Sequence, residues 1–142
     1  MVLKVRHVVV CGHSDCGVVK AMLHPEKLSN VPVVESWLGQ AEVARRVVVD
    51  NYSDVGEEHM IEALTYENVV AQLDHLKTHP SVASALARGE LMLHGWVYSI
   101  HDGTVMAFDA ERGEFVDLVA HADEMPNATP RQRRRKFLEA AK

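Results

Sequence analysis

Three consecutive valines, Val8 to Val10, run straight into Cys-Gly-His-Ser-Asp-Cys-Gly, and a helical pattern begins at once. A β-branched run of this kind, "VRHVVVC" over residues 5–11 bounded by Gly12, reads as a short strand buried on both faces, which favours a parallel sheet. From about Asp15 to Leu23 the pattern is helical, and Pro25 ends it. The chain is therefore committed early to strand, tight turn and helix. A parallel neighbour for that strand can be reached only through a long crossover.

The next β-rich run supplies that neighbour. It is "ELMLHGWVYSI" over residues 90–100, apolar on both alternating faces as a central strand would be. Between the two runs the periodicity is helical. A helix starts at Pro32 with Val34, Trp37, Leu38, Ala41, Ala44 and Val48 along one face. Another covers Glu57 to Lys77 with Ile61, Leu64, Val69, Leu73 and Leu76 as its stripe, and His79-Pro80 stops it. A short helix over Val82 to Arg88 closes at Gly89. After residue 100, Asp102-Gly103 signals a two-residue hairpin returning through "TVMAFD", and Glu111-Arg112-Gly113 leads to "EFVDLV". The fold class that follows is α/β, a parallel sheet flanked by helices with an antiparallel C-terminal hairpin and a right-handed crossover.

At 142 residues and 47% hydrophobic content the chain fits one globular domain with a core, and residues 1–125 read as its α/β part, a partial domain. Residues 126–142 read as a basic C-terminal helix or tail, starting near Thr129-Pro130 and carrying Arg131, Arg133, Arg134, Arg135 and Lys136. A net charge of −5 argues against general nucleic-acid affinity, and the tail reads as a solvated helix face. No run approaches the ~18 apolar residues of a membrane span. There is no secretory signal pattern, so the expected compartment is the cytoplasm. Two cysteines are too few for a disulfide framework and fit thiols or metal ligands.

His13 and Cys16 stand two residues apart across a turn from strand into helix, a spacing that lets imidazole and thiolate converge on one zinc ion at about 2.0–2.3 Å. The helix N-terminus favours the thiolate. The plainer reading makes Cys11 and Cys16 small buried hydrophobes and His13 a turn residue, and spacing alone does not choose between the two. The C-terminal edge of a parallel strand is where open α/β sheets bind ligands.

"HVVVCGHSDCGVVKAML" resembles the second zinc-ligand motif of the beta-class carbonic anhydrases, in which a strand ends in Gly-His-x-x-Cys-Gly. The likeness continues through "SWLGQAEVARRVVVDNYSD" and "ENVVAQLDHLKTHPSVASALARGELMLHGWVYSIHDGTVMAFD", covers about residues 3 to 118, and is similar to the plant and cyanobacterial type. The resemblance implies Zn2+ held by two cysteines and a histidine, with water in the fourth position, and reversible hydration of carbon dioxide to bicarbonate. His13 and Cys16 match two of those three ligands. Cys11 does not match, and strand alternation is expected to point it away from the site, as a buried strand-end residue.

The family's other ligand lies in an upstream Cys-x-Asp-Ser-Arg motif that these 142 residues do not contain. The sequence therefore reads as the C-terminal part of such an enzyme, incomplete at its N-terminal side, with an unpaired edge at strand 5–11 exposing Val8 and Val10. Its expected partners are carbon dioxide and bicarbonate, and a second copy or a complementing chain. The alternative is a non-catalytic homologue acting as an assembly partner. His94 reads as a packed sheet histidine and His101 as a solvated turn residue. Trp37 and Trp96 read as core or dimer interface, and Asp50, Asp54, Glu57 and Glu58 as helix-capping and solvated carboxylates.

Overall fold

A computed structural model describes residues 5–121, so the basic segment 126–142 lies outside the described residues. The elements run β1 (His7–His13), α1 (Gly17–Leu23), α2 (Pro32–Leu38), α3 (Glu42–Asn51), α4 (Glu57–Thr78), α5 (Pro80–Ala87), β2 (Met92–Tyr98), β3 (Val105–Asp109) and β4 (Glu114–Asp117). The sheet order is β1-β2-β3-β4, with β1 parallel to β2 and the other pairs antiparallel. This is the expected α/β architecture, and β1 lies at the sheet edge among the described residues.

The 22-residue α4 organises the domain because it is apolar on two sides. Val69 and Leu73 pack on the sheet with Val97, Val10, Leu93, Met106 and Phe108. Leu64 and Ala71 join Val19, Met22, Leu38, Ala44 and Val48 in a second core between the helices. Leu64 and Val48 are fully buried, each contributing about 1.5–3 kcal/mol in apolar transfer. Two sheet glycines let α4 come close. A Cβ on Gly95 would lie 2.7 Å from Leu73 Cδ1 and 2.9 Å from Val69 Cγ1, and one on Gly12 would lie 3.0 Å from Val69 Cγ2.

Four local expectations are corrected. First, β1 is not buried on both faces. His7, Val9, Cys11 and His13 form an exposed face, while Val8 and Val10 on the opposite face are partly buried, so Val9 and not Val8 or Val10 is the apolar residue left open. Second, the helix expected from Pro32 through Val48 is two helices. Gly39 N–H is shared between the carbonyls of Glu35 and Trp37, tightening the chain into a 3-10 turn over Gly39–Ala41. Leu38, Ala41, Ala44 and Val48 are buried across that turn, while Val34 and Trp37 of α2, read as part of the same stripe, are 41% and 64% exposed.

Third, Pro80 both ends α4 and occupies the first position of α5, with His79 between them, so α5 starts two residues earlier than expected. Its end is as read, with Gly89 at φ 70° and the paired bonds Gly89 N–H to Leu86 O and Glu90 N–H to Ala85 O. Fourth, the β2–β3 connection is a four-residue loop, Ile100–Gly103, closed by Ser99 N–H to Thr104 O and Gly103 N–H to Ser99 O. Asp102 accepts from Thr104 N–H and Thr104 Oγ1 inside this loop, and Gly103 takes φ 78°. The β3–β4 turn repeats the design, with Asp109 Oδ1 accepting from Glu111 and Arg112 N–H and Gly113 at φ 72°.

Candidate metal centre

His13 is the last residue of β1, opposite Tyr98 on β2, and its side chain is on the exposed face. Its Nδ1–H donates to the carbonyl of Ser14 at 2.8 Å. A carbonyl accepts only, so that bond fixes the proton on Nδ1 and leaves the Nε2 lone pair for a cation. The turn that follows is tied to the end of β2 from both sides. Ser14 N–H donates to Tyr98 O at 2.9 Å, and Ile100 N–H donates to Ser14 Oγ at 2.9 Å.

Asp15 has φ 56°, the left-handed region that aspartate tolerates better than most side chains. Its carboxylate contacts Lys20 Nζ at 3.4 Å and His101 Nε2 at 2.9 Å. The Lys20 hydrogen bond and charge, with a smaller share from His101, hold its carboxyl below the usual range. This reversal of the backbone brings the chain from β1 to Cys16, which occupies the N-cap of α1 in extended conformation. Its carbonyl receives Lys20 N–H at 3.1 Å. Cys16 is half-buried and packs against the core between the helices.

His13 and Cys16 are thus held at the two ends of one anchored turn, with ligand chemistry suited to zinc. A catalytic zinc needs a third protein ligand. Among the described residues there is no group of three or more His, Cys, Asp or Glu side chains that could hold a metal ion. The residues described supply part of a zinc site and do not by themselves fit a complete one. Cys11, expected to be buried and turned away, is exposed and lies on the same strand face as His13, because β1 continues in regular alternation to its last residue. Its thiol donates weakly to Gly12 O at 3.4 Å. His101 is the exposed turn residue expected of it, now with a defined partner in Asp15. His94 packs in the sheet against His7 and Trp96.

Behind the turn, on the side of the sheet that α4 covers, lies a cleft of about 410 Å3 lined by residues including Ser14, Asp15, Tyr66, Val97, His101 and Met106. His13 and Cys16 do not line it. Burial, reinforced by Glu62, pushes the Tyr66 phenol up. The acidic residues around the start of α4 pair with bases and do not cap: Gly56 is the N-cap and no side chain bonds there. Glu57 accepts from His24 Nε2 at 3.0 Å, which lowers its carboxyl, and Asp50, near the end of α3, pairs with Arg46 at 2.9 Å. Sequence reasoning missed Ser14 and the Asp15–His101 pair. The signal for Asp15 was an Asx residue in a tight turn with no glycine at its own position, whereas nothing local marks Ser14 as a partner for Ile100.

No helix among the described residues is long and apolar enough to cross a membrane. Residues 1–105 match the family model described as carbonic anhydrase. The chain is 44% identical over 115 residues to the carbonic anhydrase of Synechocystis sp., covering 80% of this chain and 42% of that protein. Among solved structures, the beta-carbonic anhydrase CcaA superposes with TM-score 0.80 at 42% identity over 82% of this chain and 53% of that one. One of the tetrameric beta-carbonic anhydrases from the filamentous ascomycete Sordaria macrospora superposes with TM-score 0.63 at 26% identity, covering 82% and 53%. The chain spans about half the length of the relatives it matches.

Proposed function

Because this chain belongs to the beta-carbonic anhydrase family, we propose that it serves the zinc-dependent reversible hydration of carbon dioxide to bicarbonate, contributing His13 and Cys16 as two of the metal's ligands. The observation that carries this reading is the His13 Nδ1–H bond to Ser14 O at 2.8 Å, which presents Nε2 as a donor from a turn anchored to β2. The third ligand and the aspartate–arginine pair of the family's Cys-x-Asp-Ser-Arg motif come, in this reading, from outside these 142 residues. Until they are supplied, two ligands hold zinc weakly. The cytoplasm, a reducing compartment, keeps both thiols available.

This chain's own residues have three tasks. Ser14 and the Asp15–His101 contact fix the turn against the end of β2. The Ser14 carbonyl holds His13 in one tautomer. The packing of Cys16 against the helical core fixes where its sulfur stands.

The test is a carbon dioxide hydration assay on the purified chain with zinc, alone and mixed with a polypeptide carrying the Cys-x-Asp-Ser-Arg segment. Hydration is expected in the mixture and is expected to fall to background in His13→Ala and Cys16→Ser. Hydration that survives both substitutions contradicts the assignment. A second reading, a non-catalytic assembly partner, draws on β1 standing at the sheet edge among the described residues and on its exposed Val9. It predicts a stable complex with a full-length homologue and no hydration in either arm.

A further inference from the structure

At the opposite end of β1 from His13, the side chains of His7 and His94 meet across the parallel β1–β2 pair, with His7 Nδ1 and His94 Nε2 3.0 Å apart. The rings are stacked with centroids 5.2 Å apart and planes 23° from parallel. Backbone pairing fixes the arrangement: His7 stands opposite Met92, Val9 stands opposite His94, and Met92 N–H donates to Arg6 O at 2.9 Å. His7 is on the exposed face of β1. His94 is half-buried beside Trp96, and burial, helped by His7, pushes its imidazole toward the neutral form.

We propose that His7 and His94 form a second metal site, a cross-strand chelate for a divalent first-row transition cation of the zinc, nickel and copper class. Two imidazole nitrogens bound at about 2.0–2.1 Å to one cation lie roughly 3 Å apart, which is the separation already present. Without metal, one ring donates its N–H to the other. With metal, the donor ring shifts to its other tautomer, so that Nδ1 of His7 and Nε2 of His94 both present lone pairs and no proton is released. Imidazole pairs suit these cations, and Met92, paired with His7, places a thioether on the same strand face. Water fills the remaining positions at the exposed side. His7 and His13 are six residues apart on one strand, about 20 Å at roughly 3.3 Å per residue, so this site is separate from the His13–Cys16 turn.

The experiment titrates nickel chloride into the untagged chain, following the imidazole signals of 15N-labelled histidines by NMR and the affinity by calorimetry. The His7 and His94 resonances are expected to broaden together as the first equivalent binds. His7→Gln and His94→Gln are each expected to weaken that equivalent by about tenfold or more, at least the cost of losing an outer-shell partner. His13→Ala is expected to leave it unchanged. Because His7 is exposed, His7→Gln keeps the fold and decides the matter even where His94→Gln misfolds. Nickel affinity in His7→Gln equal to that of the unaltered chain, or broadening confined to other histidines, overturns the proposal.

Discussion

Ser14 carries more of the candidate site than its size suggests. Its backbone N–H and side-chain oxygen both bond the end of β2, at Tyr98 O and Ile100 N–H, and its carbonyl orients His13. Ser14→Ala removes only the hydroxyl's bond, and the expected cost is about 1 kcal/mol, readable as a shift in the urea midpoint. A loss within ~0.3 kcal/mol of zero would show that Ile100 N–H is satisfied equally well by water. Asp102 makes a prediction about pH. Thr104 N–H, then the Ser99 and Thr104 hydroxyls, lower its carboxyl from 3.8 to about 2. A depressed folded-state pKa contributes stability above 3.8, and that contribution is lost as pH falls toward 2. Asp102→Asn is therefore expected to flatten the fall of thermal stability across that acid window while leaving its slope near neutrality unchanged, as followed by melting temperature against pH.

At the scale of elements, two glycines are expected to respond with opposite signs. Gly95→Ala places a methyl against Val69 and Leu73 where α4 crosses β2, and only Leu73 has a free end to yield. The expected cost is about 1–3 kcal/mol of overpacking. Gly39 has helical dihedrals, φ −54° and ψ −24°, with nothing within 4 Å of an added Cβ. Gly39→Ala is therefore expected to stabilise by about 0.4–1 kcal/mol through the unfolded chain, and equilibrium denaturation measures both.

The same elements show what periodicity reveals. The strand–turn–helix at the start, the extent of α4, the Gly89 cap and the antiparallel return after β2 were legible because each is written locally, whereas the single stripe read on α4 divides between two cores, Leu64 in one and Val69 with Leu73 in the other. The exposed face of β1 was not, since a run of valines looks the same whether one face or both are covered. The split at Gly39 was hidden because the apolar spacing continues across it, and only the shared Gly39 N–H bond shows the turn tightening. At the candidate site, the place of His13 at the end of a strand and of Cys16 at the start of a helix was legible from the local pattern. Ser14 and the Asp15–His101 contact were not, because they depend on which strand lies beside the turn.

For the whole molecule, the parallel β1–β2 pair does two things. It brings the turn at His13 beside the end of β2, and at its other end it brings His7 onto His94. Zinc content alone would count both places, so a measurement of the candidate centre must report the thiolate. Cobalt(II) does so, because a cysteine thiolate bound to it gives a charge-transfer absorption that imidazole ligands lack. The decisive measurement is the near-ultraviolet spectrum of the cobalt-titrated chain together with its Cys11→Ser, Cys16→Ser and His13→Ala variants. If His13 and Cys16 are the metal pair, the band forms in the unaltered chain, persists in Cys11→Ser, disappears in Cys16→Ser and weakens in His13→Ala. A band that persists in Cys16→Ser and disappears in Cys11→Ser would contradict the assignment.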